Sequence, residues 1–306
     1  MAKFDLKEFT GVIPAMVTPF DENEALDEAR LAAIVEHLVG RGVDGLYLTG
    51  STGEGFMMTP EERKRVVEIS CKIVAGRIPV MVHVGAISTK VSIDLAQHAE
   101  SCGADAISSV PPFYWNFSPD QVFNYYRDIT ASTGLPMVVY NVPLIQGMGF
   151  DLIKRLATIE GVKGIKYTAT THFDILRIKQ EVGQEFIVYS GADEMAISGL
   201  AFGADGIIGS FYNIVPELFQ EIFAAVKAGD LTRAKALQEQ GNAVIFFGLA
   251  HKGVAMIKRA MAWMGADAGY VRRPFDNLSA QEEELARTEF TALLRKIRLE
   301  GLPNVS

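Results

Sequence analysis

The most regular feature of the chain is a series of short apolar runs, each of strand length and most rich in β-branched residues. They lie in the first two thirds of the sequence, at Gly11–Thr18, Asp44–Thr49, Pro79–Val84, Ala104–Val110, Pro136–Asn141, Val162–Thr168, Phe186–Ser190 and Gly206–Gly209. Each run is almost continuously apolar, as a strand must be when both faces of its sheet are covered. The pattern therefore predicts buried strands of a parallel sheet.

Amphipathic helical stretches separate these runs. The first carries its apolar face on Leu31, Ile34, Val35 and Leu38, the spacing of one helix face. Capping boxes, in which a hydroxyl residue is followed three positions later by Glu or Gln, predict helix starts at Thr59–Glu62, Ser118–Gln121 and Ser279–Glu282. Strand and helix alternate through the whole region, which is typical of βαβ units.

Two architectures can hold such a series, a closed (β/α)8 barrel or a doubly wound open sheet. The open sheet usually carries a glycine fingerprint after its first strand. Here the first run ends in Thr18-Pro19-Phe20 and has no such fingerprint. We therefore predict an α/β fold of the (β/α)8 TIM-barrel class.

The strand pattern stops near residue 230. Residues 230–263 and 279–299 are predicted to be helical, and Arg273-Pro274 lies between the two stretches. We expect a barrel at 1–229 and a C-terminal helical extension at 230–306 that packs on it, so that the two form a single structural unit.

Composition narrows the class of protein. Of 306 residues, 49% are apolar and 22% are charged, which suits a large buried core. A net charge of −8 argues against a nucleic-acid partner. No apolar run reaches the roughly 18 residues that span a membrane, and the first residues, MAKFDLKEF, lack the apolar h-region of a signal peptide. Cys71 and Cys102 are predicted to be buried free thiols, so we expect a cytoplasmic protein.

Lys166 is the strongest candidate for a catalytic residue. Period-2 alternation turns Ile165 and Tyr167 towards the helices, and it turns Lys166 and Thr168 into the barrel. Burying an unpaired ammonium is costly, so we expect the neutral amine that a Schiff-base catalyst needs. The alternative is a structural lysine that extends outward to solvent or pairs with a carboxylate. Lys163, at the start of the same run, is expected to be solvated.

Other polar residues follow the predicted strands, where barrel active sites lie. The glycine-rich loop 50–55 offers N–H groups and two hydroxyls that could hold a carboxylate, although a plain structural turn fits equally well. Tyr140 should point inward near Lys166, where a phenol could relay protons or simply fill the barrel. The acidic pair after the seventh strand, Asp193 and Glu194, suits a substrate-hydroxyl acceptor or a helix N-terminal charge.

The histidines give no indication of a metal site. They stand at positions 37, 83, 98, 172 and 251, and no two of them have ligand spacing. We expect His83 to fill the barrel interior. The sequence therefore predicts neither a metal nor a cofactor, and any covalent chemistry would use Lys166 itself.

Taken together, the motifs resemble the dihydrodipicolinate synthase / N-acetylneuraminate lyase family of pyruvate-dependent aldolases. The similarity covers about residues 10–295. The order and spacing of all its motifs together are specific for the family, whereas any one motif alone would be weak. They are Gly50-Ser51-Thr52-Gly53-Glu54, Pro112-Phe113-Tyr114, Tyr140-Asn141-Val142-Pro143, Gly164-Ile165-Lys166-Tyr167-Thr168 and Gly203-Ala204-Asp205-Gly206.

The resemblance implies roles for particular residues. Lys166 would form the Schiff base, Tyr140 would relay protons, and Tyr114 would complete a hydroxyl relay, sometimes across a subunit interface. Ser51 and Thr52 would contact the pyruvate carboxylate. The rest of a sugar-derived substrate would meet Thr168, Gly191, Asp193, Glu194 and Ser210. The resemblance also implies a homotetramer built as a dimer of dimers, with a small 2-keto acid as the partner molecule.

Within the family, the motifs are more similar to those of N-acetylneuraminate lyases. The synthases typically carry an arginine where this chain has Ile145, and isoleucine cannot replace a guanidinium fork. Ala192 stands where the lyases frequently have tyrosine, and the segment 169–173 lacks an acidic residue that they often have. A related aldolase acting on a 2-keto-3-deoxy sugar acid therefore stays open. A non-catalytic barrel that binds a keto acid is a further alternative.

Overall fold

The computed structural model describes residues 2–145 and 147–297, and within them it contains eight parallel strands. These are β1 (Gly11–Pro14), β2 (Leu46–Leu48), β3 (Val80–His83), β4 (Ala106–Ser109), β5 (Met137–Asn141), β6 (Val162–Tyr167), β7 (Ile187–Ser190) and β8 (Gly206–Gly209). Every strand lies inside one of the apolar runs, so the predicted strands are confirmed.

The strands form one closed barrel. The order of hydrogen-bonded neighbours is β1-β8-β7-β6-β5-β4-β3-β2. The gap between β1 and β2 is bridged where Ala15 pairs with Tyr47 in parallel, and there the N–H of Met16 donates to the Tyr47 carbonyl at 2.9 Å. The (β/α)8 barrel is confirmed, and the open doubly wound sheet is excluded.

Helices connect successive strands around the outside of the barrel. They are α1 (Glu28–Gly40), α2 (Pro60–Val74), α3 (Thr89–Ser101), α4 (Pro119–Thr130), α5 (Phe150–Leu156), α6 (Phe173–Glu181), α7 (Ala196–Ala201) and α8 (Pro216–Lys227). The capping boxes predicted at Thr59 and Ser118 are both present, with each hydroxyl accepting from the third backbone N–H.

Alternation along the strands sorts their side chains into two layers. Ile165 and Tyr167 belong to the large apolar layer between strands and helices, whereas Lys166 between them is buried inside the barrel. The interior itself is filled by a second apolar cluster that includes Phe9, Tyr47 and Tyr189. Phe9 is fully buried and closes the amino-terminal end of the barrel, so the open end is the carboxyl-terminal one.

Up to residue 297, the C-terminal part contains three further helices, α9 (Leu231–Ala250), α10 (Val254–Trp263) and α11 (Ala280–Leu294). Continuous helix over 230–263 is wrong, because a turn at 251–253 interrupts it. Lys252 and Gly253 adopt positive φ there, a conformation that ends a helix. The helix predicted at 279–299 starts at its Ser279 capping box but ends at Leu294, and residues 298–299 lie outside the described residues.

Two composition-based expectations can also be compared with the structure. Cys71, in the last turns of α2, and Cys102, the C-cap residue that follows α3, are free thiols, and each is half-buried rather than fully buried. No helix in the described ranges has both the length and the apolar character needed to cross a bilayer.

Candidate active site

A cavity of about 300 Å³ opens at the carboxyl-terminal end of the barrel. Its wall is built from residues that follow or end several different strands, as barrel active sites are. They are Ser51, Thr52, Tyr140, Val142, Pro143, Leu144, Lys166, Thr168, Gly191, Ile208, Gly209 and Ser210. Seven of the ten residues proposed from the sequence thus line one cavity, the other three being Tyr114, Asp193 and Glu194.

Lys166 enters this cavity from β6. Its side chain is 4% exposed, and in the register of the sheet it lies between Tyr140 of β5 and Tyr189 of β7. The Nζ atom lies 4.4 Å from the ring centre of Tyr47 and 4.3 Å from that of Tyr140. By contrast Lys163, on the same strand, is exposed as predicted. A buried amine facing a cavity is arranged as a nucleophile requires.

The ring of His83 lies next to that of Tyr140 inside the barrel, and of the two only Tyr140 lines the cavity. The two rings are perpendicular, with their centres 6.3 Å apart. His83 lies inside the barrel as predicted, and its Nε2 accepts from the N–H of Val110 at 3.3 Å. Burial, together with the charges of Arg63 and Lys166, holds the pKa of His83 well below its usual value. The imidazole is therefore neutral.

The loop after β2 supplies two hydroxyl groups. Within this loop the N–H groups of Glu54 and Gly55 already donate to the carbonyls of Ser51 and Gly50, each at 3.0 Å. Those two N–H groups are therefore not free for a ligand, whereas Ser51 and Thr52 line the cavity. The Thr52 hydroxyl lies 2.7 Å from that of Ser210, so the loop and the end of β8 meet at the cavity.

Glu54 anchors the same loop through a contact that the sequence did not reveal. Its Oε1 accepts from Nζ of Lys258 on α10 at 2.5 Å, and both side chains are fully buried. Its Oε2 accepts from the N–H of Arg272 at 2.8 Å. Burial lowers the pKa of Lys258 to about 8. The C-terminal helices thus fix the loop that carries Ser51 and Thr52.

Thr168 and Gly191 belong to the floor of the cavity. The Thr168 hydroxyl is buried and has no hydrogen-bond partner among the described residues. A Cβ on residue 191 would lie 2.1 Å from that hydroxyl oxygen and 3.1 Å from Cε of Lys166. Only glycine therefore allows this close approach, and the Thr168 hydroxyl remains available to a ligand.

The carboxylates of Asp193 and Glu194 lie in different surroundings. Asp193 is buried, and its Oδ2 accepts from the N–H of Phe211 at 2.9 Å. Burial raises the pKa of Asp193 to about 7. Glu194 is exposed, and neither residue lines the cavity. Gln238 of α9 also holds this turn, since its amide donates to the Asp193 carbonyl at 3.0 Å. A substrate contact for Asp193 and Glu194 stays a prediction.

Tyr114 is not brought to Lys166 within this chain. Its side chain is 82% exposed, its backbone has φ of 81°, and its ring packs against Trp115 with centres 4.6 Å apart. A hydroxyl relay through Tyr114 within one subunit is therefore absent from this structure. The relay across a subunit interface stays a prediction.

No metal-binding cluster was found in the described ranges, where no three His, Cys, Asp or Glu side chains are grouped as such a site requires. The residues that surround Lys166 are aromatic rings and hydroxyls. Such a site suits covalent capture of a carbonyl compound by the amine, with hydroxyl groups to hold an adjacent carboxylate.

Comparison with known proteins agrees with the motifs. The profile of the dihydrodipicolinate synthetase family matches residues 8–295. An N-acetylneuraminate lyase of Escherichia coli is 43% identical over 238 residues, which are 77% of this chain and 80% of that protein. These matches confirm the family resemblance.

Solved structures match over nearly the whole chain. The N-acetylneuraminate lyase of Mycoplasma synoviae superposes with a TM-score of 0.89 at 31% identity, covering 94% of this chain and 99% of that one. The dihydrodipicolinate synthase DapA-2 of Bacillus anthracis gives 0.88 at 30%, covering 95% and 99%. The fold alone therefore does not separate lyase from synthase.

Proposed function

This chain belongs to the dihydrodipicolinate synthetase family, and from that premise we propose that it cleaves N-acetylneuraminate to N-acetylmannosamine and pyruvate. It is a carbon–carbon lyase of the class I aldolase type. The observation that carries the proposal is the amine of Lys166, buried in a cavity that is lined by hydroxyl groups and closed by Tyr140.

The reaction begins with the neutral amine of Lys166 and the C2 ketone of the open-chain substrate. Amine, ketone and one proton combine to give an iminium and one water molecule. The proton of the C4 hydroxyl is then removed and the C3–C4 bond breaks, its electron pair moving towards the iminium, so the aldehyde product leaves and an enamine of pyruvate remains on the lysine. Protonation of that enamine and hydrolysis release pyruvate. Tyr140, which lies against the amine, is the group that moves protons at this position.

The polar lining divides into two parts in this proposal. Ser51 and Thr52 hold the carboxylate of the pyruvate half. Thr168 and Ser210 contact the hydroxyl-rich remainder, and Asp193 and Glu194 accept hydroxyl hydrogens further along it. The unpartnered Thr168 hydroxyl supports this division, since a buried polar group without a partner is costly unless a ligand satisfies it.

A second candidate function is that of a related aldolase, which would cleave a 2-keto-3-deoxy sugar acid and release a different aldehyde. Ala192 favours it, because a tyrosine often follows the equivalent glycine in the lyases. Dihydrodipicolinate synthesis is disfavoured. Ile145 packs against the apolar cluster of Val110, Tyr140 and Val142, at the position where a guanidinium would have to bind a second carboxylate.

Reductive trapping tests the proposal. The protein is incubated with pyruvate and borohydride and weighed intact, and the same is done with Lys166→Ala. An adduct in the wild type that is absent from the variant is expected. Absence of any adduct in the wild type would contradict the Schiff base.

The substrate is tested separately. N-acetylneuraminate replaces pyruvate in the trapping, and lactate dehydrogenase reports pyruvate release from a panel of 2-keto acids. Release from N-acetylneuraminate at the highest kcat/KM is expected. Release from a 2-keto-3-deoxy sugar acid instead would keep the aldolase and change the substrate.

We propose that the enzyme is cytoplasmic and forms a homotetramer. This tetramer would be a dimer of dimers, in which the exposed Tyr114 reaches the active site of a neighbouring subunit. Light scattering gives the assembly size. If Tyr114 acts across an interface, mixing inactive Tyr114→Phe and Lys166→Ala subunits should restore part of the activity.

A further inference from the structure

Lys166 has an unusual environment for a buried lysine. Across residues 2–145 and 147–297, its Nζ forms no ion pair and no hydrogen bond. It lies instead against two aromatic faces, with the ring centres of Tyr47 and Tyr140 at 4.4 and 4.3 Å. Both distances are within the roughly 6 Å over which a ring attracts a cation.

Tyr47 differs from Tyr140 in its position. Tyr140 lines the cavity, but Tyr47 lies deeper, is fully buried and is not part of the cavity wall. Its hydroxyl lies 3.2 Å from that of Ser108, and its ring meets Tyr140 edge-on, at 6.3 Å and 83°. A substrate therefore cannot reach Tyr47, and the part of the site that it contacts is the amine.

We propose that the ring of Tyr47 stabilises the positive charge that forms on the Lys166 nitrogen when the iminium is made. The inference rests on the proposed function. Iminium formation turns a neutral amine into a cation at the same atom, with one proton taken up and one water released. Within the described residues no carboxylate forms an ion pair with that nitrogen, whereas two aromatic faces lie within 4.4 Å of it. The ring face, rather than the hydroxyl of Tyr47, carries this effect.

The test compares Tyr47→Leu with Tyr47→Phe by borohydride trapping over a range of pyruvate concentrations. Leucine removes the ring and phenylalanine keeps it. For Tyr47→Leu, the pyruvate concentration that gives half-maximal trapping should rise roughly 5- to 30-fold, the range expected for a desolvated cation–ring contact. Tyr47→Phe should stay within about threefold of the wild type, because its quadrupole is similar.

Tyr189→Leu is the matched control. Tyr189 is also a fully buried tyrosine inside the barrel and is the sheet neighbour of Lys166 on β7, but its ring packs against Phe9 rather than over the amine. The same cavity is created without loss of a ring over Nζ. Trapping by Tyr189→Leu should therefore remain near the wild-type value.

If Tyr47→Leu fails to fold, phenylalanine analogues with increasing fluorination at position 47 replace it, since fluorine weakens the ring quadrupole and hardly alters its shape. A progressive rise in the half-maximal concentration is expected. The inference is overturned if fluorination has no effect, if Tyr47→Leu traps like the wild type, or if Tyr47→Phe or Tyr189→Leu loses as much as Tyr47→Leu. Absence of trapping in the wild type would instead overturn the proposed function.

Discussion

Lys166 and Lys258 are both buried lysines, and their surroundings are opposite. Lys258 is fully buried, and its Nζ donates to Glu54 at 2.5 Å and to the Tyr270 carbonyl at 2.6 Å. Lys166 is 4% exposed and faces two rings and a cavity. The first has a permanent anionic partner, whereas the second can acquire a partner only from a ligand.

This contrast gives a way to separate structural lysines from reactive ones. A buried lysine whose nitrogen is held by a carboxylate is fixed in place by that contact and is not directed at a ligand. Lys179 belongs to this group, since its Nζ lies 2.6 Å from Oδ2 of Asp205. A buried lysine without such a partner can be a neutral nucleophile. By this criterion Lys166, on β6, is the reactive one of the three.

The same substitution at the two positions should have opposite effects. In Lys166→Met the nucleophile is lost, so we expect kcat/KM to fall on the order of 10⁴-fold or more. The stability should not fall, because methionine has a similar shape and needs no polar partner. Steady-state kinetics and thermal unfolding measure the two quantities. Lys163→Met, on the exposed start of β6, is the control and should leave both unchanged.

Retained turnover in Lys166→Met would remove Lys166 from the mechanism. A large loss of stability in that variant would mean that its amine is held by contacts like those of Lys258, and the distinction between the two lysines would fail.

Lys258→Met should act mainly on stability. It leaves Glu54 buried without its cation, which costs about 3–5 kcal/mol of unfolding free energy. Activity should fall as well, because the loop that carries Ser51 and Thr52 is anchored by Glu54. Chemical denaturation followed by circular dichroism gives the free energy. The double variant Glu54→Gln/Lys258→Met should recover part of it, and a double variant as unstable as the single one would contradict the pairing.

Asp193 is an intermediate case, a buried acid that accepts from a backbone N–H and forms no ion pair within the part of the chain that the structure describes. Its pKa, raised to about 7 mainly by burial, lies above that of an unfolded aspartate, so the native state holds the extra proton between about pH 4 and pH 7. Wild-type stability should therefore fall as pH rises through that window. Asp193→Asn removes the dependence, so its stability relative to the wild type should rise by about 2–4 kcal/mol.

Denaturation of both proteins at about pH 4.5 and about pH 8 measures this change. A difference in unfolding free energy that is the same at both values would show that Asp193 ionises as readily in the fold as in the unfolded chain.

The sequence was sufficient for the features that follow from local periodicity. Alternation along β6 turns Lys166 inward and Lys163 outward, and the capping boxes mark helix starts that the structure contains. Tyr140 is predictable for the same reason, since it shares a face of β5 with the apolar Val138. These features depend on neighbours within a few positions of the same element.

Contacts between distant segments were not predictable. Glu54 and Lys258 are 204 positions apart in the sequence. Gln238, which donates to the Asp193 carbonyl, is 45 positions away from Asp193. No periodic pattern marks such partners. The orientation of the Asp193 side chain could not be predicted either, because the alternation of side chains ends with β7. The turn after β7 determines whether the carboxylate faces a ligand or, as in the structure, accepts from the N–H of Phe211.

Substitution of Thr168 should have the smallest effect of these changes, and one that depends on which substrate is used. Its hydroxyl is buried and has no hydrogen-bond partner in the described ranges, so its removal in Thr168→Val should change the unfolding free energy by less than about 1 kcal/mol. If a substrate hydroxyl completes its hydrogen bond, kcat/KM for N-acetylneuraminate should fall about tenfold, whereas trapping of pyruvate alone should be unchanged. Kinetics with the long substrate, set beside trapping with the short one, measure this. Equal losses with both would place Thr168 beside the pyruvate half, near the amine of Lys166, rather than along the sugar-derived chain.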